Sequence, residues 1–247
     1  MLFRSLNRPE VRNALNGQVI ADLHDCARNV RTMDGVRVVV LSGHGPSFCA
    51  GADAAWMAQA IHQSDDENRQ EAERVGAMLT ALDTLPMPVV GRIHGAALGG
   101  GAGLVAVCDV VVAADDTIFG FTEVALGLIP AMVAPFALSK IGLSAARDSF
   151  LTGRRFSAER ARSMGLVHDV VPLADLDTAV AAITRACLEA APGAVAAAKA
   201  LLRQIAVAPQ AEALRLGASA IAARRTSAEG QEGLRAFLEK RRPSWRP

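Results

Sequence analysis

Two glycine-bearing stretches carry residue types at spacings that can do chemistry: GHGPSFCAGAD (residues 43–53) after the apolar run VRVVVL, and HGAALGGGAGLVAVCD (residues 94–109) after VVGRI. Each is placed to expose backbone N–H groups at the carboxyl end of a strand, where α/β folds hold ligands. In the second, residues 99–103 lead into the apolar LVAVC, which reads as a helix start. Amides there lack intrahelical acceptors, and the helix dipole favours developing negative charge. One donor from each turn would make an oxyanion hole. The plainer reading is that these glycines only permit tight turns and close packing. A dinucleotide site in LGGGAG fails on spacing: the pattern is not G-x-G-x-x-G, and no acidic residue ends a second strand about 20 positions on.

A hole of this kind needs an acid or base beside it, and Glu123 in FGFTEVALGLIP (residues 119–130) is the candidate. An isolated glutamate is ordinarily a solvated strand-end residue. Its neighbours Phe119, Phe121, Val124, Leu126 and Leu128 predict enclosure instead, which raises a carboxyl pKa and suits it to proton exchange near neutrality. Asp109 reads as structural, bonding backbone at a buried strand end. The histidines (His24, His44, His62, His94, His168) form no ligand pattern, so no metal is assigned.

The elements that must position these residues follow from periodicity. A helix is expected over 17–32 and a buried strand over 36–43. Residues 68–85 place Val75, Met78, Leu79, Leu82 and Leu85 on one helical stripe, stopped by PMP. The stretch VVGRIHGAA (89–97) reads as one strand, and DVVVAADDTIFGF as two strands parted by a turn at Asp115 and Asp116. From about Pro130 the pattern turns helical, with segments after IPAMVAPF, in AERARSMG, over 173–191, 194–205 and 210–225, and a last one closed by Pro243. The reading is an α/β, βα-repeating core with a helical C-terminal part, divided as 1–190 and 191–247.

Composition bounds the partners. The 247 residues can bury a sizeable core, and an apolar half with a charged fifth excludes a disordered chain. With 26 basic and 25 acidic residues the net charge of +1 supplies no general field for nucleic acid or anionic membranes. Any anionic ligand must therefore be held locally. Four scattered cysteines lack metal-ligand spacing, and two lie in apolar contexts that suggest buried free thiols, which fits a reducing cytoplasm. The N-terminus has charges too early for a signal peptide, and no segment reaches the ~18 apolar residues of a membrane span. A soluble, unexported protein is expected.

FCAGAD (48–53), HGAALGGGAGLVAVCD, FGFTEVALGLIP and RRFSAERARSMGLVHDVVP (154–172), in that order, resemble the enoyl-CoA hydratase/isomerase family, also called the crotonase family. LNRPEVRNAL (6–15) and AFLEKRRPSW (236–245) extend the resemblance over nearly the whole chain, which begins within what is normally an early strand of the family. The resemblance implies a crotonase-like spiral of ββα units, C-terminal helices that mediate a homotrimer or a hexamer of two trimers, and an acyl-CoA thioester substrate without a separate cofactor. By position, the amides of Ala52 and Gly100 would hold the thioester oxygen, with Gly51, Gly99 and Gly101 shaping the turns. Val11, Arg12, Ala50, Asp53 and Trp56 would lie along the CoA moiety. Phe237 and Lys240 would reach the nucleotide end bound by a neighbouring subunit. Taken singly, Arg12 and Lys240 read as surface charges and Trp56 as packing.

Two-glutamate hydratases of this family carry one carboxylate just after the glycine run, where this chain has Gly103, and the other at the position of Glu123. A lone glutamate there also occurs in members that shift a double bond. GGGAGL together with GLIPAMVAPFALSKIG resembles the branch acting on 3-methylglutaconyl-CoA and related branched thioesters, whereas more usual members read IPGAGG where this chain has IPAMVA. The resemblance thus implies hydration of a branched or glutaconyl-type enoyl-CoA, with a Δ3,Δ2-enoyl-CoA isomerase and a non-catalytic acyl-CoA binder as alternatives.

Overall fold

The computed structural model describes residues 1–246. In chain order the strands are β1 (Leu2–Leu6), β2 (Val39–Gly43), β3 (Val89–Ile93), β4 (Ala96–Leu98), β5 (Val110–Ala114), β6 (Ile118–Gly120), β7 (Phe156–Ser157) and β8 (Asp169–Val171). The helices are α1 (Gly17–Arg31), α2 (Ala54–Ala60), α3 (Asp65–Asp83), α4 (Gly100–Ala106), α5 (Ala134–Thr152), α6 (Ala158–Ser163), α7 (Leu176–Glu189), α8 (Pro192–Ile205), α9 (Gln210–Thr226) and α10 (Ala228–Leu238). A five-stranded parallel sheet runs β1-β2-β3-β5-β8, and a three-stranded one runs β4-β6-β7.

Central parallel strands must be apolar on both faces, because both are covered. Val38, Val40, Val90 and Val112 turn to one side, against Leu176 and Val180 of α7. Val39, Leu41, Val89, Ile93, Val111 and Ala113 turn to the other, into the main core with Ile20 and Leu23 of α1, Met78, Leu79 and Leu82 of α3, and Leu104 of α4.

Residues 89–97 are two strands, correcting the single strand expected from their apolar content. The chain bends at Gly95, whose φ of 65° is left-handed and whose hydrogen faces the Pro46 carbonyl so closely that a Cβ would overlap it. It then crosses into the small sheet as β4 and continues as α4. The next passage repeats the plan: β5 in the large sheet, a turn at Asp115 and Asp116, β6 in the small sheet, then helix. A spiral of strand, strand and helix results.

Other boundaries shift for identifiable reasons. Helix α3 starts at Asp65, ahead of the expected 68, because Ser64 and Glu67 form a reciprocal capping box. Strand β2 begins at Val39; Arg37, expected inside it, donates its guanidinium to the carbonyls of Leu188, Ala190 and Trp245. Helix α10 stops at Leu238, before Pro243, where Lys240 adopts a left-handed φ of 55°. None of the residues of α8 or α9 is buried, and α10 buries only Ala236. The four cysteines are free thiols, Cys49 and Cys108 fully buried, and burial pushes both of those up to about 12. No single helix among the described residues is long and apolar enough to cross a membrane.

Candidate active site

The two glycine turns lie against each other. His94, at the end of β3, places Nε2 2.8 Å from the Gly45 carbonyl oxygen in the first turn. Phe48 and Cys49 donate their amides to the carbonyls of His94 (2.9 Å) and Ala96 (3.0 Å), and Leu98 donates back to Cys49 (3.0 Å). On the other side, Ala50 donates to Arg12, Leu15 to Gly51, and Asp53 to Leu15. These bonds fix the first turn from both flanks. Among the described residues the amides of Ala52 and Gly100 donate to no protein acceptor. Gly100 is the first residue of α4, where an orphan donor is expected and the helix dipole adds positive potential.

Backbone contact, not turn geometry alone, requires the glycines here. A Cβ on Gly101 would overlap the Cys49 carbonyl oxygen, and one on Gly51, whose φ is 103°, would sit 3.2 Å from the Leu98 oxygen. Gly99 has a φ of 50°, and a Cβ there would lie 3.3 Å from Glu123 Oε1. The carboxyl group therefore reaches the turn that opens α4.

Glu123 begins a short 3₁₀ turn (Glu123–Leu126) just after β6. Its Oε2 is buried without a hydrogen-bond partner, and burial raises its pKa above the ordinary carboxyl value. The expected enclosure by flanking apolar residues is only half right. Phe119 and Phe121 are fully buried, but Leu126 is 63% exposed and Leu128 56%. Helix α4 and the segment before α5 supply the rest of the wall.

Ala52, Gly100, Trp56 and Glu123 line one cavity of about 310 Å³, within the range of small-molecule sites. The same cavity is walled by Asn68, Glu71, Ala72 and Val75, one face of α3, and by residues 128–133. Of this α3 face the sequence singled out only Val75, and that as part of the apolar stripe rather than as a cavity residue, although the i, i+3, i+4, i+7 spacing was legible. Asn68 donates to the Ser64 carbonyl (3.0 Å), and Glu71 accepts from Gln63 (2.9 Å).

Gly103 marks a steric exchange. A Cβ on it would overlap Cγ1 of Val133, which is buried and caps α5. The valine of IPAMVA thus occupies the space that a side chain at 103 would need.

The remaining expected residues divide. Asp53 is buried; its carboxylate caps α2 through the amides of Ala55 (2.9 Å) and Trp56 (3.4 Å) and pairs with Arg8 (2.9 Å), whose hydrogen bond holds its pKa below the usual carboxylate value. Val11 and Arg12 are exposed beside Ala50 at the edge of the first turn. Phe237, 79% exposed, and Lys240 lie on and after α10, which packs on α8 and α9, and neither lines the cavity. Asp109 is structural as read: it accepts from the Val89 amide (2.7 Å) and pairs with Lys199 (2.6 Å), tying β3 to α8.

A family model described as enoyl-CoA hydratase/isomerase matches residues 4–247. Among solved structures, AtuE of Pseudomonas aeruginosa is 37% identical at a TM-score of 0.95, covering 100% of this chain and 96% of that one. An enoyl-CoA hydratase/isomerase from Marinobacter aquaeolei is 35% identical at 0.93, covering 98% and 94%. An enoyl-CoA hydratase from Shewanella pealeana is 32% identical at 0.94, covering 98% and 92%.

Proposed function

Because the chain belongs to the enoyl-CoA hydratase/isomerase family, we propose that it is a hydratase adding water across, or removing it to form, the α,β double bond of a branched or glutaconyl-type enoyl-CoA. The observation that carries this reading is the placement of one elevated-pKa carboxyl, Glu123, in a cavity with two unpartnered amides and no second carboxylate at position 103.

In the proposed reaction the amides of Ala52 and Gly100 donate hydrogen bonds to the thioester oxygen and stabilise the enolate that forms as water attacks the β-carbon. Glu123 orients that water. Its hydroxyl bonds to C3 and its remaining proton passes, through the carboxyl group, to C2, so one water is consumed and nothing else. The CoA moiety would run along residues 11–12 and 50–56. Phe237 and Lys240 would contact a CoA held by a neighbouring copy, a role supported by exposed apolar side chains at Leu202, Leu214, Ile221 and Phe237 on α8, α9 and α10.

The test is turnover of purified protein on crotonyl-CoA, 3-methylglutaconyl-CoA and a 3-enoyl-CoA, with Glu123→Gln alongside. Hydration of the branched substrate, reduced about 10²–10⁴-fold in the variant with binding retained, is expected. Full activity in the variant would remove Glu123 from its role. A second reading, Δ3,Δ2 isomerisation, draws on the same Glu123 carboxylate, which would take a proton from C2 and return it to C4; double-bond migration in the 3-enoyl substrate without hydration would establish it. Thioester binding with no turnover at all would leave a non-catalytic binder.

A further inference from the structure

We propose that Met132, seated over Gly76, sets the length of acyl chain the cavity accepts; the proposal rests on the acyl-thioester reading above. Two consecutive residues before α5 fill spaces left by glycines on two different helices. Val133 lies over Gly103 of α4, and Met132 lies over Gly76 of α3, where a Cβ would come within 2.6 Å of the Met132 methyl carbon. Both line the cavity that holds Glu123.

The two residues are not equivalent. Val133 is buried, β-branched and fixed at the start of α5. Met132 is half-buried and unbranched, with a soft thioether that fills irregular space and swings readily between rotamers. Its socket is also costly: a glycine inside an exposed helix is destabilising by about 1 kcal/mol relative to alanine. Gly76 interrupts α3 with no left-handed φ to require it, so the room it makes for Met132 is its remaining structural use.

Helix α3 supplies a ruler. Leu79 Cδ1 lies 3.8 Å from where a Gly103 Cβ would be, so that part of α3 packs against α4 three residues beyond Gly100, which itself lines the cavity. Gly76 is one turn toward the N-terminus, about 4.5 Å away at 1.5 Å per residue. Val75, Ala72, Glu71 and Asn68 continue the same wall outward. An acyl chain growing along α3 from the reacting carbons meets the Met132 thioether after a few methylenes, before the polar pair Glu71 and Asn68.

Wild type, Met132→Ala, Gly76→Ala and the double variant are compared for affinity toward butyryl-, hexanoyl-, octanoyl- and decanoyl-CoA by calorimetry, and for kcat/KM on the matching trans-2-enoyl thioesters. Met132→Ala is expected to raise decanoyl relative to butyryl preference by about tenfold or more, the scale on which pockets discriminate methylenes. Gly76→Ala displaces the thioether into the cavity and should lower long-chain affinity while sparing butyryl-CoA. The double variant should return to the Met132→Ala profile, because no thioether tip remains to be displaced. A length profile unchanged in Met132→Ala overturns the proposal, and that variant decides alone if Gly76→Ala does not fold. Wild type that binds no acyl-CoA of any length overturns the thioester reading and the proposal together; good binding with flat profiles sinks only the proposal.

Discussion

The cavity has two walls built on opposite plans. Around Glu123 the wall is backbone: Gly101 packs on the Cys49 carbonyl, Gly51 on the Leu98 carbonyl, and Ala52 and Gly100, which line the cavity, have amides with no acceptor among the described residues. Along α3 and residues 128–133 the wall is side chain, with Met132 and Val133 resting on Gly76 and Gly103. Main chain locked by ladder bonds cannot yield to a new methyl group, whereas a side chain over a glycine can swing aside. Substitutions in the first wall should therefore abolish chemistry, and substitutions in the second should retune what is bound.

The sharpest test of that contrast is Gly100→Pro. Proline is tolerated at the first position of a helix, and the nearest atom to a Cβ there is the flexible Leu15 Cδ1 at 2.9 Å, so the fold should survive. What disappears is one unpartnered donor. Turnover should fall by about 10²–10³-fold, as for removal of one oxyanion donor, with circular dichroism unchanged. A folded variant with wild-type turnover would mean that the backbone wall holds no developing charge.

The two walls also differ in how far they could be read from sequence. Glycine runs after apolar strands announce close backbone approach, so the first wall was legible at residues 51–53 and 99–103. The helix start at Gly100 was legible too, because amides before LVAVC have nothing upstream to bond. The bend at Gly95 was not: VVGRIHGAA is mostly apolar and reads as one strand, and the close approach of the Pro46 carbonyl, some 50 residues earlier, is visible only once the chain is folded. Likewise Arg37 sits in a strand-like run, yet its partners are C-terminal carbonyls. The second wall was hidden for the same reason. Asn68, Glu71 and Ala72 have helical spacing, but which face of α3 meets the cavity depends on where residues 128–133 pack.

Gly103→Glu probes where the walls meet. Any side chain at 103 collides with Val133 Cγ1, whose residue is buried, so the variant should lose about 1–3 kcal/mol of stability by overpacking. Val133→Gly empties that space, and the pair should be more stable than the sum of the two single losses predicts, by a coupling of about 0.5–3 kcal/mol in urea denaturation. Strict additivity would mean that the loss of the first carboxylate and the arrival of valine are unrelated, and that the side-chain wall is no more yielding than the backbone one.

The smallest expected effect is on stability, and it separates the chemical demand on Glu123 from its structural cost. Burial raises the pKa of this carboxyl in the folded chain, so folding favours its neutral form. The sign follows from linkage: the favourable contribution of the protonated group is fully present below the ordinary carboxyl pKa and is lost as pH rises through the higher folded value. Above that raised value the folded protein carries an ionised, half-enclosed carboxylate whose Oε2 has no hydrogen-bond partner among the described residues. Glu123→Gln removes that charge, so its Tm should exceed that of wild type by a few degrees once pH is above the raised folded value, and the difference should shrink as pH falls toward the ordinary carboxyl value. A variant less stable than wild type at neutral pH, or a difference independent of pH, would show that the carboxylate is held by the fold for packing and not against it for reaction.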